Sequence, residues 1–166
     1  MNMTTDETSF ETEIASLLSE LSSVQDELLD VLESKRDLMA ASDVDGIAQL
    51  QPREEQLLAR LDVCHKQRAE LLQSAEDQGL SCDSLGQLVS KLPLEDRPTL
   101  AEQVDAASSR MRLLQHQSIT NWVLAQRTLL HLSQLLEIIA TGGQLRPTYG
   151  TGNSPAPSGA LVDQEA

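Results

Sequence analysis

Residues 10–38 read FETEIASLLSELSSVQDELLDVLESKRDL, and their spacing decides the fold class. Apolar side chains stand at Phe10, Ile14, Leu17, Leu21, Val24, Leu28, Val31 and Leu38, with Lys35 filling the one gap. Steps of three and four residues are the signature of a helix with a coiled-coil seam. Leu18, Leu29 and Leu32 widen the stripe, so this helix can face two neighbours. From Ser9 to Ala41, at ~1.5 Å per residue, it would be a rod of roughly 50 Å. Residues 1–8 are polar and are expected to fray. Ser42-Asp43-Val44-Asp45-Gly46 then reads as a break that supplies the cap of the next helix.

A second helix is expected over residues 43–78. Ile47, Leu50, Leu57, Leu61, Cys64 and Leu71 keep the same period, with Glu54 and Arg68 as polar interruptions. Pro52 lies inside it and cannot donate a backbone hydrogen bond, which predicts a kink or a restart. Gly79 closes it. A short amphipathic helix follows over 81–92. Glu95-Asp96-Arg97-Pro98 has the acidic, proline-first character of a helix start. The third long helix should run over 98–141, stopped by Gly142-Gly143. The prediction is all-α: an antiparallel helical hairpin plus a long third helix, an elongated coiled-coil-like bundle. Residues 1–143 would form this domain. Residues 144–166, with Pro147, Gly150, Gly152, Pro155, Pro157 and Gly159, would be a disordered tail.

Composition agrees. Phe10, Trp122 and Tyr149 are the only aromatics, which leaves little material for a sheet. Twelve basic residues stand against 26 acidic ones, for a net charge of −14. Nucleic-acid binders need Lys/Arg stripes to displace phosphate counterions, so nucleic acid is excluded as a partner. An anionic bilayer would repel the chain for the same reason. The charge is also uneven: −10 over residues 1–46, −2 over 47–92, −1 over 93–140 and −1 over the tail. The first third therefore reads as a solvated acidic surface. Residues 1–13 have no basic n-region and no apolar h-region, which predicts no secretory leader. The richest apolar stretch, 119–139, includes Arg127, His131 and Glu137, which argues against membrane insertion. Two cysteines, Cys64 and Cys82, are too few for a disulfide framework, and a reducing cytoplasm is the expected location.

Residues 119–139 carry the functional signal. On a wheel stepped at 100° per residue, Ile119, Val123 and Leu130 fall within 40° of one another. Leu124 and Leu135 fall near 150°, Leu132 and Ile139 near 210°, and Trp122, Leu129 and Leu136 near 280°. Apolar groups thus go nearly all the way round, more than two neighbouring helices can cover. Either a second copy of the chain covers the excess, or the excess is an interaction surface. The second reading selects Ile119, Trp122, Val123, Leu129, Leu130, Leu132, Leu136 and Ile139 as a client-binding face. Gln115, Gln117, Asn121, Gln126 and Gln134 would supply an uncharged, hydrogen-bonding rim.

Chemistry is poorly supported by comparison. Cys64 and His65 are adjacent, point about 100° apart on a helix and cannot share a metal. His116 and His131 are fifteen residues apart. Cys64 lies on the seam and reads as a small buried hydrophobe. No phosphate-binding glycine motif occurs, so no enzyme, metal or cofactor is expected.

The stretch 28–72, LLDVLESKRDLMAASDVDGIAQLQPREEQLLARLDVCHKQRAELL, resembles the FlgN family of flagellar export chaperones. In that family a Leu-rich first helix ends in a small-residue/Asp turn and a Leu/Glu-rich helix returns along it. Leu28, Leu32, Arg36, Leu38, Asp43, Ile47, Leu50, Glu54, Glu55, Leu58 and Leu61 stand where the pattern places them. The linker Ser90-Lys91-Leu92-Pro93, the Leu-rich final helix and Thr148-Tyr149-Gly150 also fit. The resemblance covers about residues 10–150. It implies a cytoplasmic chaperone that binds the terminal helices of hook-associated (hook–filament junction) proteins and hands them to the type III export gate. Tyr149 would then be the gate contact. The competing expectation is a coiled-coil adaptor that self-associates through its third helix as a homodimer.

Overall fold

The computed structural model describes residues 3–92 and 97–140. Four helices follow one another: α1 (Met3–Ala40), α2 (Val44–Asp77), α3 (Leu85–Lys91) and α4 (Arg97–Ala140). No strand occurs among the described residues. The chain divides into two units, Met1–Arg127 and Thr128–Ala166, and the second is described over 128–140. The expected domain end at 143, the Gly142-Gly143 stop and the tail lie outside the described residues, as does the Glu95-Asp96 helix start.

Local signals place the helix ends. At the close of α1, the N–H of Asp43 donates to the carbonyl of Leu38 (2.9 Å) and that of Ser42 to Met39 (3.1 Å). These two bonds form a Schellman motif, whose outer residue must be left-handed. Ser42 takes that place with φ +57. Asp43 caps α2, its carboxylate accepting from the N–H of Gly46 at 2.9 Å. A Cβ at Gly46 would come within 2.6 Å of that carboxylate and 2.7 Å of the Leu38 side chain, so a larger residue there would have to displace the capping carboxylate and Leu38. The same two-bond motif ends α2: Gly79, φ +82, donates to Glu76 and Leu80 donates to Ala75, both at 2.8 Å. A left-handed non-glycine residue is strained by about 1 kcal/mol. Ser42→Gly should therefore raise stability by roughly 0.5–1 kcal/mol, read as a higher urea midpoint at unchanged slope.

Three sequence expectations need correction. α1 begins at Met3 instead of about residue 9, and residues 1–8 do not all fray. α2 does not restart at Pro52 but runs unbroken through it. Pro52 and Ala48, whose carbonyl loses its partner, are both exposed, so the freed carbonyl is not buried. The short helix spans only Leu85–Lys91, because Ser84 adopts an extended conformation and caps it through the N–H of Gln87.

Within the first unit, α1 is the central element. α2 returns antiparallel along it and α4 runs parallel to it, as the side-chain ties show. Lys35 of α1 meets Glu54 of α2 at 2.6 Å. The one gap in the first seam and a polar interruption in the second thus neutralise each other. Arg60 reaches Glu20 at 2.8 Å and Glu27 at 2.9 Å, and Arg53 lies 3.6 Å from Glu27. The hydrogen bond from Arg60 holds the Glu27 carboxyl below its usual range. On α4, Arg110 lies 2.7 Å from Asp26. Part of the acidic surplus of α1, read from the sequence as solvated, therefore pairs with arginines from both neighbours.

The core has two parts. Ile14, Leu17, Leu18, Cys64, Leu71, Leu88, Val89, Leu100 and Ala107 belong to the larger, and Val24, Leu28, Val31, Leu32, Leu57 and Leu114 to the smaller. Each fully buried aliphatic side chain contributes about 1.5–3 kcal/mol. Two amides bridge α1 to α4: Gln25 donates to the Ala107 carbonyl (3.1 Å) and Asn121 to the Leu32 carbonyl (2.8 Å).

Candidate functional site

The buried residues of α4 are Leu100, Ala107, Leu114 and Asn121, one every seven residues. That heptad line faces α1 in the first unit. Asn121, expected on a polar rim, is instead only 6% exposed and anchored to the backbone of α1. A single amide on an otherwise apolar line is a registration device, because its donor must find one particular carbonyl. Gln115 and Gln126 are exposed and Gln117 is half-buried, all in the first unit, while Gln134 is exposed in the second.

Around Asn121 the apolar side chains turn outward. In the first unit Ile119 and Trp122 are each 63% exposed and Val123 is marginally so. Ile119 and Val123 are four residues apart and share a helix face. In the second unit every helical residue from 128 to 140 is exposed. Leu129, Leu132, Leu136 and Ile139 follow steps of three and four residues, so they form one continuous apolar stripe there. Leu130 stands beside it, and Ile139 reaches 76% exposure. Leu135 and Ile138, absent from the sequence-based selection, are exposed as well. Encirclement of the wheel was the signal that could have included them. All eight selected residues are thus exposed, three in the first unit and five in the second. Tyr149 lies outside the described residues.

Groups able to do covalent chemistry are dispersed. Among the described residues no three His, Cys, Asp or Glu side chains come together as metal ligands. His65, His116 and His131 are exposed at separate places. Cys64 is 2% exposed, and burial, aided by the charge of Glu20, pushes its thiol up from the ordinary range. Its reactive thiolate is correspondingly scarce. In the native protein an aromatic disulfide reagent should label half-buried Cys82 first and Cys64 only on unfolding. Equal rates would mean that α2 opens at Cys64. No helix among the described residues is long and apolar enough to cross a membrane.

No curated protein and no solved structure matches the chain. The family model described as FlgN protein, in contrast, matches residues 3–156, which spans the whole helical region. Most of the residues that carry the resemblance lie in the α1–α2 hairpin, where the Asp43 carboxylate accepts from the N–H of Gly46 at the turn. An all-helical chain with a long apolar final helix and a match over nearly its full length is a member of the FlgN family of flagellar export chaperones.

Proposed function

We propose that the chain is a cytoplasmic chaperone whose client face is the apolar surface of α4. Its clients would be the terminal helices of hook-associated proteins, delivered onward to the export gate. The observation that supports this most is that every residue from 128 to 140 is exposed, the stripe Leu129, Leu132, Leu136 and Ile139 among them. Such a surface is costly to leave in water. It is explained if it is covered in the working state. The terminal helix of a filament protein has the complementary problem before assembly: an apolar stripe with no neighbour and a tendency to aggregate. Helix-on-helix packing would cover both surfaces reversibly, without a cofactor and without catalysis. The acidic α1 keeps such a complex apart from other copies.

Ile119, Trp122 and Val123 in the first unit, and Leu129, Leu130, Leu132, Leu136 and Ile139 in the second, are the residues assigned to this face. Tyr149 is assigned to gate docking on the family resemblance. Light-scattering mass on adding a hook-junction protein tests the reading. A chaperone gains one client mass, whereas a self-associating adaptor is already a dimer and ignores the client. Truncation after Gly143 should leave client affinity unchanged and lower client secretion in cells. Loss of client binding on truncation would remove the division of labour between helix and tail.

A further inference from the structure

The first unit also contains a groove between α2 and α4, floored by α1. Its floor is the line Leu18, Leu21, Gln25, Leu28 and Leu32, a seam in steps of three and four residues. Two hollows of about 440 and 470 Å³ occupy it, and Met111 and Gln115 line both. From Leu18 to Leu32 the floor covers 15 residues, roughly 21 Å or about four helical turns. Leu85 of α3 lines the hollow at the Leu18 end.

The charge around this groove departs from the rest of the molecule. The chain has 26 carboxylates, yet none lines the hollow at the Leu18 end. Its charged lining groups are Arg68 of α2 and Arg112 of α4, with His65 beside them. The arginines at 53, 60 and 110 all pair with acids of α1. Arg68 and Arg112 have no carboxylate partner among the described residues, and Arg112 bonds only to the Ser109 hydroxyl. In the other hollow the single carboxylate, Glu54, is already neutralised by Lys35. Gln25, 1% exposed on the floor, donates to Ala107, but its Oε1 is buried with no donor.

We propose that this groove is a second docking site, for one amphipathic helix of another protein whose apolar stripe is flanked by carboxylates. Leu21, Leu58, Leu61 and Met111, apolar lining groups that are not fully buried, accept the stripe, and Arg68 and Arg112 accept the flanks. It uses different residues from the client face, Ile119 at the rim excepted. A second copy of this chain suits it poorly, because the exposed apolar stretch 128–140 brings only one carboxylate, Glu137.

A fluorescein-labelled synthetic helix of about 18 residues, with leucines at three- and four-residue steps and glutamate flanks, tests the assignment by anisotropy. At about 0.15 M salt, one peptide should bind per chain, saturably. Arg68→Glu with Arg112→Glu should weaken it by about tenfold or more, and the same variant should gain affinity for a lysine-flanked peptide. Neither arginine makes an interhelical ion pair, so circular dichroism should be unchanged. If the reversal does unfold the chain, Arg68→Gln with Arg112→Gln gives the same reading with a smaller loss. Leu129→Asp with Leu136→Asp should leave this peptide's affinity intact. The proposal is overturned if glutamate- and lysine-flanked peptides compete equally for the wild type, or if removing the arginines changes nothing. It is equally overturned if the Leu129/Leu136 variant loses the peptide, or if sedimentation shows a dimer that excludes it.

Discussion

Replacing Leu136 with Ala should weaken binding of a hook-junction terminal helix by about 2 kcal/mol or more, roughly 30-fold, and leave thermal stability unchanged. The same is expected of Trp122→Ala. Both side chains are about three-fifths exposed, so the free protein loses almost no buried area with them. In the complex they would lose their contact with water, and large side chains at the centre of an interface dominate its energy. Trp122 is the only tryptophan, so its emission should move to shorter wavelength when a client covers it. Calorimetry with the client peptide, paired with a melting curve for each variant, separates the outcomes. Normal binding together with a lower melting point would mean that these residues belong to the fold and not to the client face.

The second large effect lies on the opposite kind of surface. Ile14 and Leu18 are at most 1% exposed and sit in the larger core part, where α1, α2, α3 and α4 all contribute. Ile14→Ala or Leu18→Ala should cost about 2–5 kcal/mol, through lost transfer energy and the cavity left behind. A domain of this size has about 5–15 kcal/mol in total, so either change removes a substantial share. Leu129→Ala, the same chemical deletion as Leu18→Ala on an exposed position, should stay within about 0.5 kcal/mol. Urea unfolding followed at 222 nm measures all three. A Leu18→Ala cost below about 1 kcal/mol would show that the core collapses onto the gap.

The contrast between Leu18 and Leu129 also marks what could be read before the fold was known. Both are leucines on three-and-four spacing, and periodicity alone treats them alike. What periodicity does settle is that each lies on a helix, since one stripe per helical turn is a property of the local chain. Capping is equally local. The Asp43 carboxylate reaches an N–H three residues on, and Gly79 takes the left-handed φ that closes a helix, so both ends of α2 were legible to within a residue. The resemblance to the family was read mainly from the hairpin and its turn, which are contiguous residues, and the family match extends over residues 3–156.

Which stripe finds a neighbour is not a local property. Asn121 and Gln115 looked equivalent as polar neighbours of an apolar run. The register of α4 against α1 buries Asn121 under the Leu32 carbonyl and leaves Gln115 exposed. Lys35 and Glu54 each spoil one seam, and only the antiparallel docking of α1 and α2 brings them to 2.6 Å. The same docking claims the arginines at 53, 60 and 110 for the acids of α1 and leaves Arg68 and Arg112 beside the groove. The sequence by itself determined an all-helical chain, its breaks and its surplus of apolar side chains near the end, because each depends on residues within a turn or two of one another. Tertiary structure decided which of those side chains stay exposed and which charges stay unpaired, because burial and pairing depend on the register between helices distant in the chain.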